Sequence, residues 1–157
     1  MQLTVIAVGK TDQRELNNLI GNYISRLGKY ISFNFDIIPD VKASKSRSIE
    51  QQKVSEGEEI IARLKPTDFV VLFDEHGKTY TSREFAEKIE RRMNESLKRL
   101  VFVIGGPYGF SKAVYDRANS LLSLSKMTFS HQMVRLFAVE QIYRAFTILN
   151  KEPYHHD

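Results

Sequence analysis

The chain has 157 residues, a net charge of +4 and no cysteine. That length buries a sizeable core without staples, and the missing thiols exclude a disulfide scaffold, a thiol nucleophile and a thiolate metal site. No apolar run approaches the roughly 18 to 20 residues that span a bilayer, and MQLTVIAVGK lacks the basic start and cleavage site of a signal peptide, so no membrane contact and a cytoplasmic location are expected.

In chain order, LTVIAVG (3–9) reads as a buried strand, and a helix runs from about Gln13 to Leu27, stopped near Gly28. FNFDIIP (33–39) is a second strand, and the polar DVKASKSRS (40–48) a loop. IEQQKVSEGEEIIARL (49–64) has helical composition and ends before Pro66. DFVVLFDEHGK (68–78) is a third strand running into a turn. The next helix announces its start: Thr81 and Glu84 fit a capping box, Tyr80 and Phe85 a hydrophobic staple, and Phe85, Ile89 and Met93 mark a buried stripe. LVFVIGG (100–106) is the fourth strand, SKAVYDRAN (111–119) a short helix, LLSLS (121–125) a fifth strand and QMVRLFAVEQIYRAFTILN (132–150) a long closing helix.

Strands apolar on both faces that alternate with helices predict an α/β fold, a parallel-sheet sandwich with helices on both faces, in a single domain over 1–157. In the last helix Gln132, Arg135, Glu140, Arg144, Thr147 and Lys151 make only a narrow polar stripe. So wide an apolar surface predicts cover by a second copy, a homodimer.

Ligands of open α/β sheets bind beyond the carboxyl ends of the strands. Gly105 and Gly106 close a strand there, and bare backbone permits a close approach; a tight turn with no ligand explains them equally well. There is no Walker A sequence, and GGPYG is not G-x-G-x-x-G, which argues against a nicotinamide enzyme. GKTDQ (9–13) is a poor flavin phosphate cradle, although a flavin- or nucleotide-binding protein stays open, as does a non-catalytic RNA-binding one. LSLSKMTFSHQMVR (122–135) has a backbone able to ring a purine, with Met127 and Phe129 as apolar surface; ordinary core packing accounts for both as well. Basic residues gather at Lys42, Lys45, Arg47 and Lys53 and at Arg91, Arg92, Lys98 and Arg99, a solvated face or a nucleic-acid contact.

Together FVIGGPYG, LSLSKMTFSHQMVR and AVEQIYRAFTILNKEPYHH, with AVGK (7–10) and DEHGK (74–78), resemble the small knotted SPOUT-class methyltransferases that modify N3 of a pseudouridine in bacterial 23S ribosomal RNA. The resemblance runs from Met1 to His156. It implies a C-terminal trefoil knot, a homodimer and S-adenosyl-L-methionine held in the knot. The implied cofactor residues are Leu72 or Phe73, Gly105, Gly106, Leu124, Ser125, Lys126, Met127, Thr128 and Phe129. Family members often carry leucine where this chain has Phe73, which leaves that contact open by one residue.

Methyl transfer from a sulfonium needs no metal and no acid, and none is expected here. It needs a positioned nucleophile and a group that stabilises the imide anion. Arg135, Tyr154 and His155 are the implied catalytic candidates, with the tail carrying the last two helping to build a site from both protomers. Lys10, Arg14 and His131, and further Lys42, Lys45 and Arg47, are candidates for contact with 23S rRNA in the ribosome; His131 also reads as a helix-start residue behind a Ser130 cap.

Overall fold

The structure is a computed structural model and describes residues 1–40 and 46–157, so Lys42 and Lys45 lie outside the described residues. Five parallel strands form one sheet in the order β2-β1-β4-β3-β5: β1 Gln2–Val8, β2 Ser32–Ile38, β3 Phe69–Lys78, β4 Arg99–Ile104 and β5 Ser120–Leu122. The helices are α1 Arg14–Leu27, α2 Ile49–Ala62, α3 Ser82–Asn94, α4 Lys112–Arg117 and α5 His131–Leu149. This is the α/β sandwich expected, with strand and helix ends shifted by one to three residues.

Alternation along the strands sorts the core into two layers. Leu3, Val5 and Ala7 of β1 face Leu16, Ile89 and Ile142, so α1, α3 and α5 cover that side. Ile6 and Val8 face Ile60 and Val114, so α2 and α4 cover the other. All carboxyl ends of the strands therefore emerge on one side, where loops 8–13, 73–82 and 105–111 gather.

Local chemistry sets where the helices start. Thr81 Oγ1 accepts from Glu84 N at 3.2 Å while the Glu84 carboxylate accepts from Thr81 N at 2.7 Å, the expected capping box. Ser48 and Gln51 build a second one that the sequence reading missed. Thr81→Ala is expected to cost about 1 kcal/mol, read as a lower urea midpoint at unchanged slope. The stripe on α3 is shorter than expected: Phe85 and Ile89 are buried with Ala86, whereas Met93 is 41% exposed.

The end of β3 holds the least ordinary backbone. Leu122 pairs with Phe73, and beyond an irregularity it pairs again with Lys78; Ser123 N donates to Lys78 O at 2.9 Å. The turn at 74–77 thus lies across β5, and a Cβ on Gly77 would stand 2.5 Å from Leu122 N.

Candidate active site

A cleft of about 590 Å³ opens at the carboxyl ends of β3 and β4. Phe73, Gly105, Gly106, Leu124, Ser125, Met127, Thr128, Phe129 and His131 line it, so most of the expected cofactor residues come together. Ser125 Oγ accepts from Met127 N at 3.0 Å and fixes the turn that turns Met127 outward. Ser130 Oγ accepts from Met133 N at 3.2 Å, so His131 is the first residue of α5 and also a cleft residue.

Four expectations are corrected in detail. The Leu72 side chain is fully buried with Ile6 and Val103, whereas Phe73 lines the cleft. Lys126 leaves the cleft and lines a neighbouring hollow with Lys78 and Tyr80. The two glycines make room first for the protein itself: a Cβ on Gly105 would stand 3.0 Å from the Phe110 ring, and one on Gly106 2.9 Å from the Glu56 carboxylate. What the cleft meets is their bare backbone. Arg135 is the fourth. It is 0% exposed, and its guanidinium donates to Gly9 O at 2.5 Å, Val8 O at 2.6 Å, His131 O at 3.3 Å and Thr11 Oγ1 at 3.3 Å. Its helix position placed it on a polar stripe, but the end of β1 crosses over that stripe.

Asp74, Tyr115 and His76 add a polar corner that the sequence reading did not single out. The Tyr115 hydroxyl donates to Asp74 Oδ2, and His76 N donates to Oδ1 at 2.8 Å with the ring Nδ1 equally close. Burial pushes the Asp74 carboxyl up, yet these hydrogen bonds outweigh it and hold the group below the usual carboxylate range. Burial and the same carboxylate push the Tyr115 phenol up. At neutral pH the Asp74 carboxylate therefore carries its negative charge.

Tyr154 and His155 do not reach this cleft within the chain. After α5 the backbone turns at Lys151 (φ 57°), and the tail runs back along the helix. The Tyr154 hydroxyl donates to Glu140 Oε1 at 3.0 Å, so the Tyr23 hydroxyl, 3.2 Å away, is the donor toward it. Burial, with these two partners, pushes the Tyr154 phenol up. The Arg144 guanidinium lies 4.8 Å from the centre of the Tyr154 ring. Tyr30 donates to Glu152 at 2.6 Å, which raises its phenol to about 12. Asp157, gripped by Arg83, is lowered to about 2. Glu140 lies nine residues beyond His131, about 14 Å along the helix.

Of the basic candidates, Lys10 and Arg14 are exposed just past the end of β1, on the side where the cleft opens. Arg47 is exposed, directly before the Ser48 cap of α2. In the second cluster Arg92 pairs with Glu95 and Arg99 with the buried Asp68, so both are already engaged. Among the described residues no group of three or more His, Cys, Asp or Glu is placed to hold a metal ion, and no helix is long and apolar enough to cross a membrane.

A family model described as "Predicted SPOUT methyltransferase" matches residues 1–155. The chain belongs to the SPOUT methyltransferase family. Curated SPOUT relatives match it end to end. A protein of Christiangramia forsetii named ribosomal RNA large subunit methyltransferase H is 60% identical over 156 residues, 99% of both chains. Proteins of the same name from Bacteroides thetaiotaomicron and Porphyromonas gingivalis strain W83 are 55% and 52% identical, each covering 100% of both chains. Membership does not favour the flavin-binding and non-catalytic alternatives.

Proposed function

We propose that this chain is an S-adenosyl-L-methionine-dependent methyltransferase. It acts as a cytoplasmic homodimer on N3 of a pseudouridine in 23S rRNA, in the large subunit or the assembled ribosome. The observation that carries the reading is the cleft itself: backbone bared at Gly105 and Gly106 faces the 124–131 segment, in a chain whose full-length relatives are named as rRNA methyltransferases.

The cleft fits the cofactor. Its volume lies within the roughly 300 to 1,000 Å³ of small-molecule sites. Phe73, Leu124 and Met127 supply apolar surface for an adenine, and the Asp74 corner supplies negative charge for a cationic ligand. Bound there, S-adenosylmethionine supplies an electrophilic methyl group and leaves as a neutral thioether. The protein's part is to hold the target nitrogen in line, an effect worth up to about 7 to 11 kcal/mol, and to stabilise the imide anion once its proton is lost. Lys10 and Arg14 are placed to meet RNA phosphates, which makes affinity fall with salt.

Homodimerisation is supported by the outer face of α5 and the loop before it. Phe129 and Phe137 pack at 5.0 Å, and with Met127 (77% exposed) and Met133 they make an uncovered apolar patch. A second copy seated there brings its tail toward this cleft, which one chain alone does not do. We read the crossing of Gly77 over Leu122 as the thread of the family's trefoil knot.

Titration calorimetry with S-adenosylmethionine and S-adenosylhomocysteine tests the cofactor reading. Saturable binding is expected, weakened at least tenfold in Thr128→Trp, an exposed cleft position where bulk fills the site without entering the core. Absence of binding to either ligand at millimolar concentration overturns it.

A further inference from the structure

His155 sits between two groups that leave its ring only one neutral form. Arg144 Nη1 lies 3.3 Å from Nδ1, and Asp157 Oδ1 lies 3.0 Å from Nε2. A guanidinium carries donors and no acceptor, so Nδ1 must present its lone pair to Arg144. A proton there would point at an N–H. The ring proton is therefore on Nε2, where an ionised carboxylate accepts it.

Arg144 is itself held. Nε and Nη2 donate to Glu140 Oε1 at 3.1 and 2.6 Å, leaving Nη1 directed at the imidazole. The His155 side chain is 14% exposed, whereas that of Asp157 is 67% exposed. Asp157 is held in turn by Arg83, but that pair is exposed and contributes little, so the acceptor on Nε2 is the replaceable partner. The donor is the fixed one.

Resting on the methyltransferase reading above, we propose that His155 works as a neutral Nε2–H donor to a carbonyl oxygen flanking the target imide nitrogen, with Arg144 as the positioning residue that fixes this tautomer. With its one lone pair, on Nδ1, turned to the guanidinium and Nε2 already protonated, the ring is not the acceptor of the imide proton, which leaves to water. Its service is to the anion: charge that develops at the nitrogen spreads onto the two neighbouring carbonyl oxygens, and a preset donor against one of them stabilises the charge as it forms. Asp157 holds the donor until that oxygen replaces it.

Two measurements test this. The first is long-range ¹H–¹⁵N spectroscopy of the histidine-labelled full chain, with His155 assigned by the signals lost in His155→Gln. The Nε2–H pattern is expected in the unaltered chain and in Arg144→Lys, which keeps a donor, and a mixture of tautomers in Arg144→Met. A protonated Nδ1 in the unaltered chain, or an unchanged pattern in Arg144→Met, overturns the assignment. The second is single-turnover methylation of ribosomal particles from cells that lack the modification. Glutamine retains an amide donor where Nε2 stood, so His155→Gln is expected within about tenfold of the unaltered chain while His155→Ala loses about 10²-fold. Equal losses in both variants, as for a missing base, or no loss in either, sink the proposal. The spectra need neither cofactor nor RNA, so a failed tautomer and a failed methyltransferase reading are told apart.

Discussion

Gly77→Ala is expected to lose roughly 3 kcal/mol, at the upper end of the overpacking range, and Gly77→Val to leave little folded protein. The new Cβ would stand 2.5, 2.6 and 2.7 Å from Leu122 N, Leu122 C and Leu121 C. All three are backbone, so no rotamer change relieves the clash. Nor can β5 step aside, because Leu122 is paired with both Phe73 and Lys78 of β3. Thermal unfolding reads the effect: a domain of this length loses about 2 to 4 °C per kcal/mol, so the alanine variant should melt roughly 6 to 12 °C lower. A midpoint within a degree of the unaltered chain refutes the crossing as described. At Gly105 the neighbour is the Phe110 side chain rather than backbone, at 3.0 Å, and a milder response is expected there.

Arg135→Met is expected to cost about 3 to 5 kcal/mol, with the loss in stability rather than in a step of the reaction. Methionine matches the stem but strands the carbonyls of Val8 and Gly9, and each buried orphan costs about 1 to 3 kcal/mol. Those carbonyls end β1, so the guanidinium ties the first strand to the last helix. Gln132 repeats the tie alongside, accepting from Asp12 N at 3.0 Å and donating to Lys10 O at 3.1 Å. Burial pulls the Arg135 guanidinium below its usual pKa, with Asp12 and Asp40 opposing, yet an arginine stays charged at any working pH. Arg135→Lys offers charge without a planar fork and should recover only part of the loss. Urea unfolding of the three proteins decides. If Arg135→Met unfolds with the unaltered chain yet fails to methylate ribosomal particles, the residue belongs to the chemistry after all.

These two residues mark what can be read from the chain and what cannot. The α/β class was legible because β1, β3 and β4 are apolar on both faces and the helices between them carry starts such as Thr81–Glu84. Most of the cleft was legible too, through the glycines after β4 and the SKMTF run. Side-chain direction was not. Periodicity put Arg135 and Thr147 on the polar stripe of α5, and both are wholly buried, Arg135 by the distant end of β1. The same holds for Lys126, which differs from its neighbours only in which wall of the 74–78 turn it faces. Gly77 looked like one glycine of an ordinary turn because nothing near it in sequence says that residues 121 and 122 pass beneath. The Asp74 corner was hidden likewise, since Tyr115 stands 41 residues away.

The double pairing of Leu122 also bears on self-association. An outermost strand normally offers a free ladder to which another chain can add, a route to aggregates. Here β5 is three residues long, and its end is taken up at Leu122 and Ser123 by the last residues of β3, which leaves a foreign strand little ladder to extend. At the opposite margin Asp36 of β2 is salt-bridged to Arg63 at 3.3 Å, placing charge on the other exposed rim. The sheet is guarded at both borders, which leaves helical surface as the ground on which copies of this chain can meet.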